Sequence, residues 1–290
     1  MSNIKIMSSG NNMSLPENSI SSATIYRDHI DVVTPSVNRL NKSPLSRYRR
    51  HSKYEYIDTE TGEILKYKIG NNKSDNTDSI RRSLKDIRSL ILNNFVEEKG
   101  FYITLTYSYR MDDFCKANDD FRVFIDKFKY RMDDVKIEYL KIIEAQESGS
   151  WHFHILIKSS NYKYFRMTKG KVEDCWKHGS VNIKQIYDVN GLASYLGTYC
   201  GSNGTNGYKT KMQKKSERWK HYPPGARIFS KSAGIVYPKK EIMKRGELLK
   251  ILNGSEKLSE NDVIVIDEVK GQTLNRIKYE TFANTTNFSI

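Results

Sequence analysis

The segment Trp151–Ile157, WHFHILI, constrains the fold more than any other stretch of the chain. It is an apolar run of strand length, and a strand sends alternate side chains to opposite faces. His152 and His154 therefore point one way, while Phe153, Ile155 and Ile157 point the other. A sheet built on this strand must bury one face and carry two imidazoles on the other. The periods on either side say what surrounds it. FYITLTYSY (101–109) alternates as a strand, with Tyr102, Thr104 and Thr106 on one face. Phe121, Phe124, Ile125 and Phe128 recur at helical spacing, in a helix that Asn118 would cap and that runs to about Met132. Ile137–Gln146 and Trp151–Lys158 read as strands joined by a short loop containing Gly149. A helix is expected near 164–176, a strand at 180–186, and a helix at 189–199 capped by Asp188 or Asn190.

The order is β-α-β-β-α-β followed by a further helix. It predicts an α+β fold, a central antiparallel sheet of ferredoxin-like or RRM-like topology with helices on one face. Upstream, Ile80, Leu84, Ile87, Leu90 and Ile91 mark a helix over 79–95 that Asp78 or Ser79 would cap, and residues 54–69 read as a hairpin turning near Gly62. Five regions follow. Residues 1–45 are rich in Ser and Asn and read as disordered. Residues 46–73 hold a basic cluster and the hairpin. Residues 74–201 hold the sheet. Residues 202–240 form a basic loop and its sequel. Residues 241–290 read as a helix and a polar tail.

The chain carries a net charge of +14. Such a surplus suits a polyanion, nucleic acid before an anionic membrane surface, although a solvated lysine-rich surface has the same composition. The basic clusters that would contact phosphates are Arg47, Arg49 and Arg50, and Lys209, Lys211, Lys214, Lys215 and Arg218. No apolar run approaches the ~18–20 residues that span a bilayer. Met1–Met13 lacks the apolar core of a secretory leader, and three cysteines (Cys115, Cys175, Cys200) make no disulfide framework; both fit the cytoplasm.

Two imidazoles two residues apart on a strand can grip one divalent cation. A three-residue loop over 147–149, with Gly149 left-handed, pairs Glu144 with His152 and Ile142 with His154. Glu144 then shares the imidazole face, whereas a loop one residue longer would turn it away. Glu144, His152 and His154 make a two-histidine, one-carboxylate set with open positions, suited to Mg²⁺ or Mn²⁺. The plainer reading is that two histidines line a half-buried sheet face. Tyr195 and Tyr199 lie four apart on the last helix and project from one side. Such pairs serve as packing aromatics, or, beside a metal-bound phosphate, as nucleophiles. Cys175 and His178 have a C-x-x-H spacing but no second pair to complete a zinc site.

YITLTY (102–107), EAQESGSWHFH (144–154) and YLGTY (195–199), in that order, resemble the HUH superfamily, in particular the rolling-circle replication initiator (Rep) proteins of bacterial plasmids, phages and related mobile elements. WKHGSVNI (176–183) and FSKSAG…YP (229–238) are similar to family segments as well, so the likeness covers roughly 79–240. The resemblance implies that residues 74–201 are a nicking domain. It implies that Glu144, His152 and His154 hold the cation and that Tyr195, with Tyr199 as a second nucleophile, attacks single-stranded DNA at an origin hairpin to leave a 5′-phosphotyrosine. Thr198 and Ser202 stand where the family often has lysines, and Lys209 or Lys211 are the candidate substitutes. The sequence contains no G-x-x-x-x-G-K-[ST] loop, so a host helicase and polymerase are the expected partners. A relaxase or transposase of the same superfamily, or an RRM-like nucleic-acid-binding module without catalysis, are the alternatives.

Overall fold

A computed structural model describes residues 4–8, 14–37, 48–52, 54–67, 70–132, 135–197, 218–269 and 271–284. The chain divides into two compact units, one from residues 69–237 and one from residues 1–68 with 238–290. No helix among the described residues is long and apolar enough to cross a membrane.

The unit made by the two ends of the chain contains a six-stranded antiparallel sheet. Its strands are β1 (Ile4–Ser8), β2 (Ile20–Ile25), β3 (His29–Pro35), β12 (Lys239–Lys244), β13 (Lys257–Asp267) and β14 (Gln272–Ala283), in the order β1-β13-β14-β3-β2-β12. A short helix, α5 (Arg245–Ile251), adds Leu248 to a core of Ala23, Ile25, Ile30, Val32 and Phe282, with Leu252 just beyond it. Two expectations are corrected here. Residues 1–45 hold three strands rather than a disordered segment: ISSATI and HIDVVTP alternate buried and half-buried positions beneath a Ser- and Asn-rich composition. Residues 241–290 are not a helix with a polar tail. After α5 they form the long β13–β14 hairpin, whose polar inward residues hide its alternation. The expected hairpin near Gly62 is present. It joins β5 (Glu55–Asp58) to β6 (Ile64–Lys66), with Gly62 at φ +75°, and β4 (Tyr48–Arg50) completes a three-stranded sheet.

The 69–237 unit has the predicted α+β antiparallel architecture, consistent with an RRM-like fold. Helix α1 (Thr77–Asn94) opens at Asn76, whose side chain accepts the Ser79 N–H at 2.9 Å, so the cap lies earlier than Asp78 or Ser79. β7 (Gly100–Tyr107) leads to α2 (Phe114–Arg131). Its cap is Asp113, which accepts the N–H groups of Cys115 and Lys116; Asn118 sits in the first turn instead. β8 (Ile137–Ala145), β9 (Trp151–Ser159), α3 (Lys169–Trp176), β10 (Gly179–Gln185), α4 (Val189–Gly197) and β11 (Phe229–Lys231) follow. The sheet order is β10-β7-β9-β8-β11.

α2 and α3 cover one face. Phe153 packs 5.4 Å from Phe121 and 5.8 Å from Trp176, ring centre to ring centre, and Phe153, Ile155 and Ile157 are fully buried. Each such side chain contributes about 1.5–3 kcal/mol by leaving water. α4 stands over the other face, the one that carries the histidines. It is pressed against α1 at Gly197, where a Cβ would fall 2.6 Å from the Cβ of Arg88. That close approach fixes the height of Tyr195, two residues earlier in α4.

Candidate metal centre

The β8–β9 loop sets the site. Gly149 adopts φ +82° and the Gln146 N–H bonds the Ser150 carbonyl at 2.8 Å, so the loop has the three residues expected. Glu144 pairs with His152 and Ile142 with His154. The carboxylate and both imidazoles therefore stand on one face.

Glu144 Oε2 lies 2.9 Å from His154 Nε2 and 3.6 Å from His152 Nε2, and the two nitrogens are 3.0 Å apart. Both histidines are buried. Three electron-pair donors converge here on one point, and a single hydrogen can bridge only one of the contacts. A divalent cation among them satisfies all three, and donors ~2.1 Å from one ion at right angles stand ~3.0 Å apart. The residues fit a metal ion, and they are the group of three able to hold one among the described residues.

The surrounding shell was only partly visible in the sequence. Tyr102 Oη sits 2.6 Å from His154 Nδ1, and Thr104 Oγ1 lies 3.4 Å from the same nitrogen. With Nε2 turned towards the donor cluster, Nδ1 carries the hydrogen and donates to Tyr102, which fixes the ring orientation. Burial pushes the Tyr102 hydroxyl well above the usual phenol range, so it stays protonated. Sequence reasoning put Tyr102 and Thr104 on one face, but the β7–β9 register that brings them to His154 is a long-range pairing with no local signal.

Arg218 was expected among the phosphate-contacting basic residues. The structure turns it onto the site instead: Nη1 donates to Glu144 Oε1 at 2.7 Å, leaving Oε2 for the histidines. Its Nε is buried without a hydrogen-bond partner among the described residues. The turn that carries it, Arg218–His221, is anchored by Tyr222, whose hydroxyl donates to the Ile143 carbonyl at 2.8 Å and whose ring packs on Trp151.

Tyr195 faces the centre from α4, its ring 6.5 Å from that of His154 and just over half exposed. Burial raises its pKa, the Glu144 charge raises it further, and Arg218 opposes them. Arg49 and Arg50 are exposed on β4. Tyr199, Thr198, Ser202, Cys200, Arg47, Lys209, Lys211, Lys214 and Lys215 lie outside the described residues.

Residues 100–204 match a family described as Replication-associated protein ORF2. That span runs from β7 past α4, so it contains the triad, Tyr102, Tyr195 and Tyr199. The match supports a replication initiator Rep protein. Neither the curated proteins nor the solved structures gave a match to the chain.

Proposed function

We propose that the chain initiates rolling-circle replication by nicking and rejoining single-stranded or hairpin origin DNA through a covalent 5′-phosphotyrosine, as an HUH-type endonuclease. One observation carries this reading: the Glu144–His152–His154 cluster and the Tyr195 phenol share one face of one sheet. A bound Mg²⁺ or Mn²⁺ would polarise the scissile phosphate and ease attack by a weak nucleophile. Tyr195 Oη forms a bond to phosphorus and loses its proton to solvent. The bond from phosphorus to the 3′ oxygen breaks, and that oxygen takes up a proton to become the free 3′-OH that primes synthesis. The tyrosyl phosphodiester keeps the bond energy, so the reverse attack reseals the strand. Arg218 holds Glu144 in place, and Tyr102 holds His154. Tyr199 is the second candidate nucleophile. Arg47, Arg49, Arg50 and the lysines at 209, 211, 214 and 215 are candidate phosphate contacts, and the site of action is the cytoplasm. Unwinding and synthesis would fall to a host helicase and polymerase. The match to a replication-associated family favours an initiator over a relaxase or transposase.

The test is mass spectrometry of the protein after incubation with single-stranded oligonucleotides tiling the DNA around its own gene, with Mg²⁺ and with Mn²⁺. A tyrosine-linked adduct is expected, lost in Tyr195→Phe and compared with Tyr199→Phe. No adduct with either ion would overturn the reading.

A further inference from the structure

A cleft of about 560 Å³ opens off the metal centre on the same face of the sheet. His154 and Tyr195 form its inner end. From there its floor follows two rows of the sheet out to the β10 edge. Asn182, Thr104 and His154 are in register across β10, β7 and β9, and Lys184, Tyr102 and Leu156 form the next row. Leu192 of α4 and Tyr187 line it further. The volume falls within the ~300–1,000 Å³ of small-ligand sites. A molecule lying in it would touch the groups that do the chemistry at one end and reach the sheet edge at the other.

The lining has the parts that recognise a nucleotide. Tyr187 is 64% exposed, and its hydroxyl donates to Gln185 Oε1 at 2.9 Å. Gln185 in turn donates to the Glu98 carbonyl at 3.1 Å, so the phenol is steadied by its rim while the ring remains open to solvent. An exposed ring so held is a stacking surface for an unpaired base. Asn182 is exposed on the floor and offers a donor and an acceptor side by side, the pairing that reads a base edge. Lys184, also exposed, supplies a cation one strand position further. The carboxylate at the cleft, Asp188, is engaged by the Gly191 N–H at 2.7 Å at the start of α4.

We propose that this cleft is the sequence-reading subsite of the nicking reaction. It takes the nucleotide beside the scissile phosphate, with Tyr187 stacked on the base, Asn182 bonded to its edge and Lys184 paired with the neighbouring phosphate. The proposal rests on the nicking reading and adds where base identity is sensed.

The test is a cycle between protein and DNA changes. The rate of adduct formation is measured for oligonucleotides carrying one abasic site at each position around the nick, with the wild-type chain, Asn182→Ala and Tyr187→Ala. Circular dichroism checks that the two surface variants fold. One abasic position next to the nick should slow the wild-type chain roughly 10- to 100-fold. Each variant should be slowed on the intact oligonucleotide and then lose little more, under about threefold, on that same abasic substrate. Equal abasic penalties in wild type and variants at every position would overturn the subsite. If the wild-type chain forms no adduct, the nicking reading fails by itself. The same cycle read by fluorescence anisotropy of the bound oligonucleotide then decides the cleft independently: non-additive losses support it, additive ones sink it.

Discussion

The two large sheets of this chain are both antiparallel, yet their buried faces are built on opposite plans. In the β10-β7-β9-β8-β11 sheet the two faces are segregated. Phe153, Ile155 and Ile157 pack under α2 and α3, while Glu144, His152 and His154 occupy the other side. In the six-stranded sheet the buried face is graded, row by row. Ile25, Ile30 and Phe282 form an apolar row; Ala23, Val32, Glu280 and Glu260 form the next; Ser21, Thr34, Lys278 and Asp262 form a polar one. Its buried charges are compensated. Arg245 Nη1 donates to Glu280 at 2.6 Å and to Thr34 at 3.1 Å, Lys257 reaches Glu280 at 3.0 Å, and Lys278 pairs with Glu260 and Asp262. The first plan draws its stability from area removed from water and is indifferent to pH. The second depends on each partner keeping its charge, and breaking a buried pair costs more than the pair contributes.

That contrast can be broken by mutation. The largest effect is expected at Phe153→Ala, a loss of about 3–5 kcal/mol in denaturant unfolding, unchanged between pH 4 and 8. Arg245→Ala should cost about 3 kcal/mol at pH 7, because it leaves Glu280 a buried charge short of its main partner. Burial alone would raise the Glu280 carboxyl, but the bonds from Arg245 and Lys257 outweigh it and hold it below the usual range. The stabilisation is thus complete above the unfolded carboxylate value and fades as pH falls through the lower folded one. The Arg245→Ala penalty should shrink in acid; a penalty equal at pH 3 and pH 7 would erase the distinction between the sheets.

Smaller effects sharpen the same comparison within the segregated sheet. His154→Ala should weaken Mn²⁺ binding by about 100-fold in a calorimetric titration while leaving thermal unfolding of the apoprotein nearly unmoved, since the apolar face is intact. A large drop in unfolding temperature would mean that the histidine face is structural. Lys141 is the exception on the apolar side. Its ammonium lies 4.8 Å from the Phe121 ring centre and bonds Asn118 at 2.5 Å, and burial lowers its pKa to about 8. The unfolded chain keeps that proton to about pH 10.5, so wild-type stability should rise from pH 8 towards 10. Lys141→Met should stabilise by about 2 kcal/mol below pH 8, and the gain should shrink above it. A destabilised variant at pH 7 would show that the ion–ring contacts outweigh desolvation.

How much the sequence disclosed follows the same division. The segregated sheet has strands contiguous with their helices and strong periods, so its order, the Gly149 loop and the Glu144–His152 register could all be read from local spacing. Tyr102 at His154 and Arg218 at Glu144 could not, because both depend on pairings dozens of residues apart. The graded sheet escaped for a different reason. Inward positions such as Lys278, Glu280 and Asp262 read as solvent-facing until their partners are known, which hides the period of two. Helix caps erred by a few residues at Asn76 and Asp113, where the apolar stripe starts after the first turn.

The strand order β1-β13-β14-β3-β2-β12 also has a consequence in time. β3 hydrogen-bonds β14, so a strand made near the start of translation waits for one made at the very end. At roughly 5–20 residues per second, that wait lasts some tens of seconds on the ribosome. A message truncated after codon 240 would yield a polypeptide with every triad residue present and with β2 and β3 left without their β14 neighbour, an open edge ready to recruit another nascent copy.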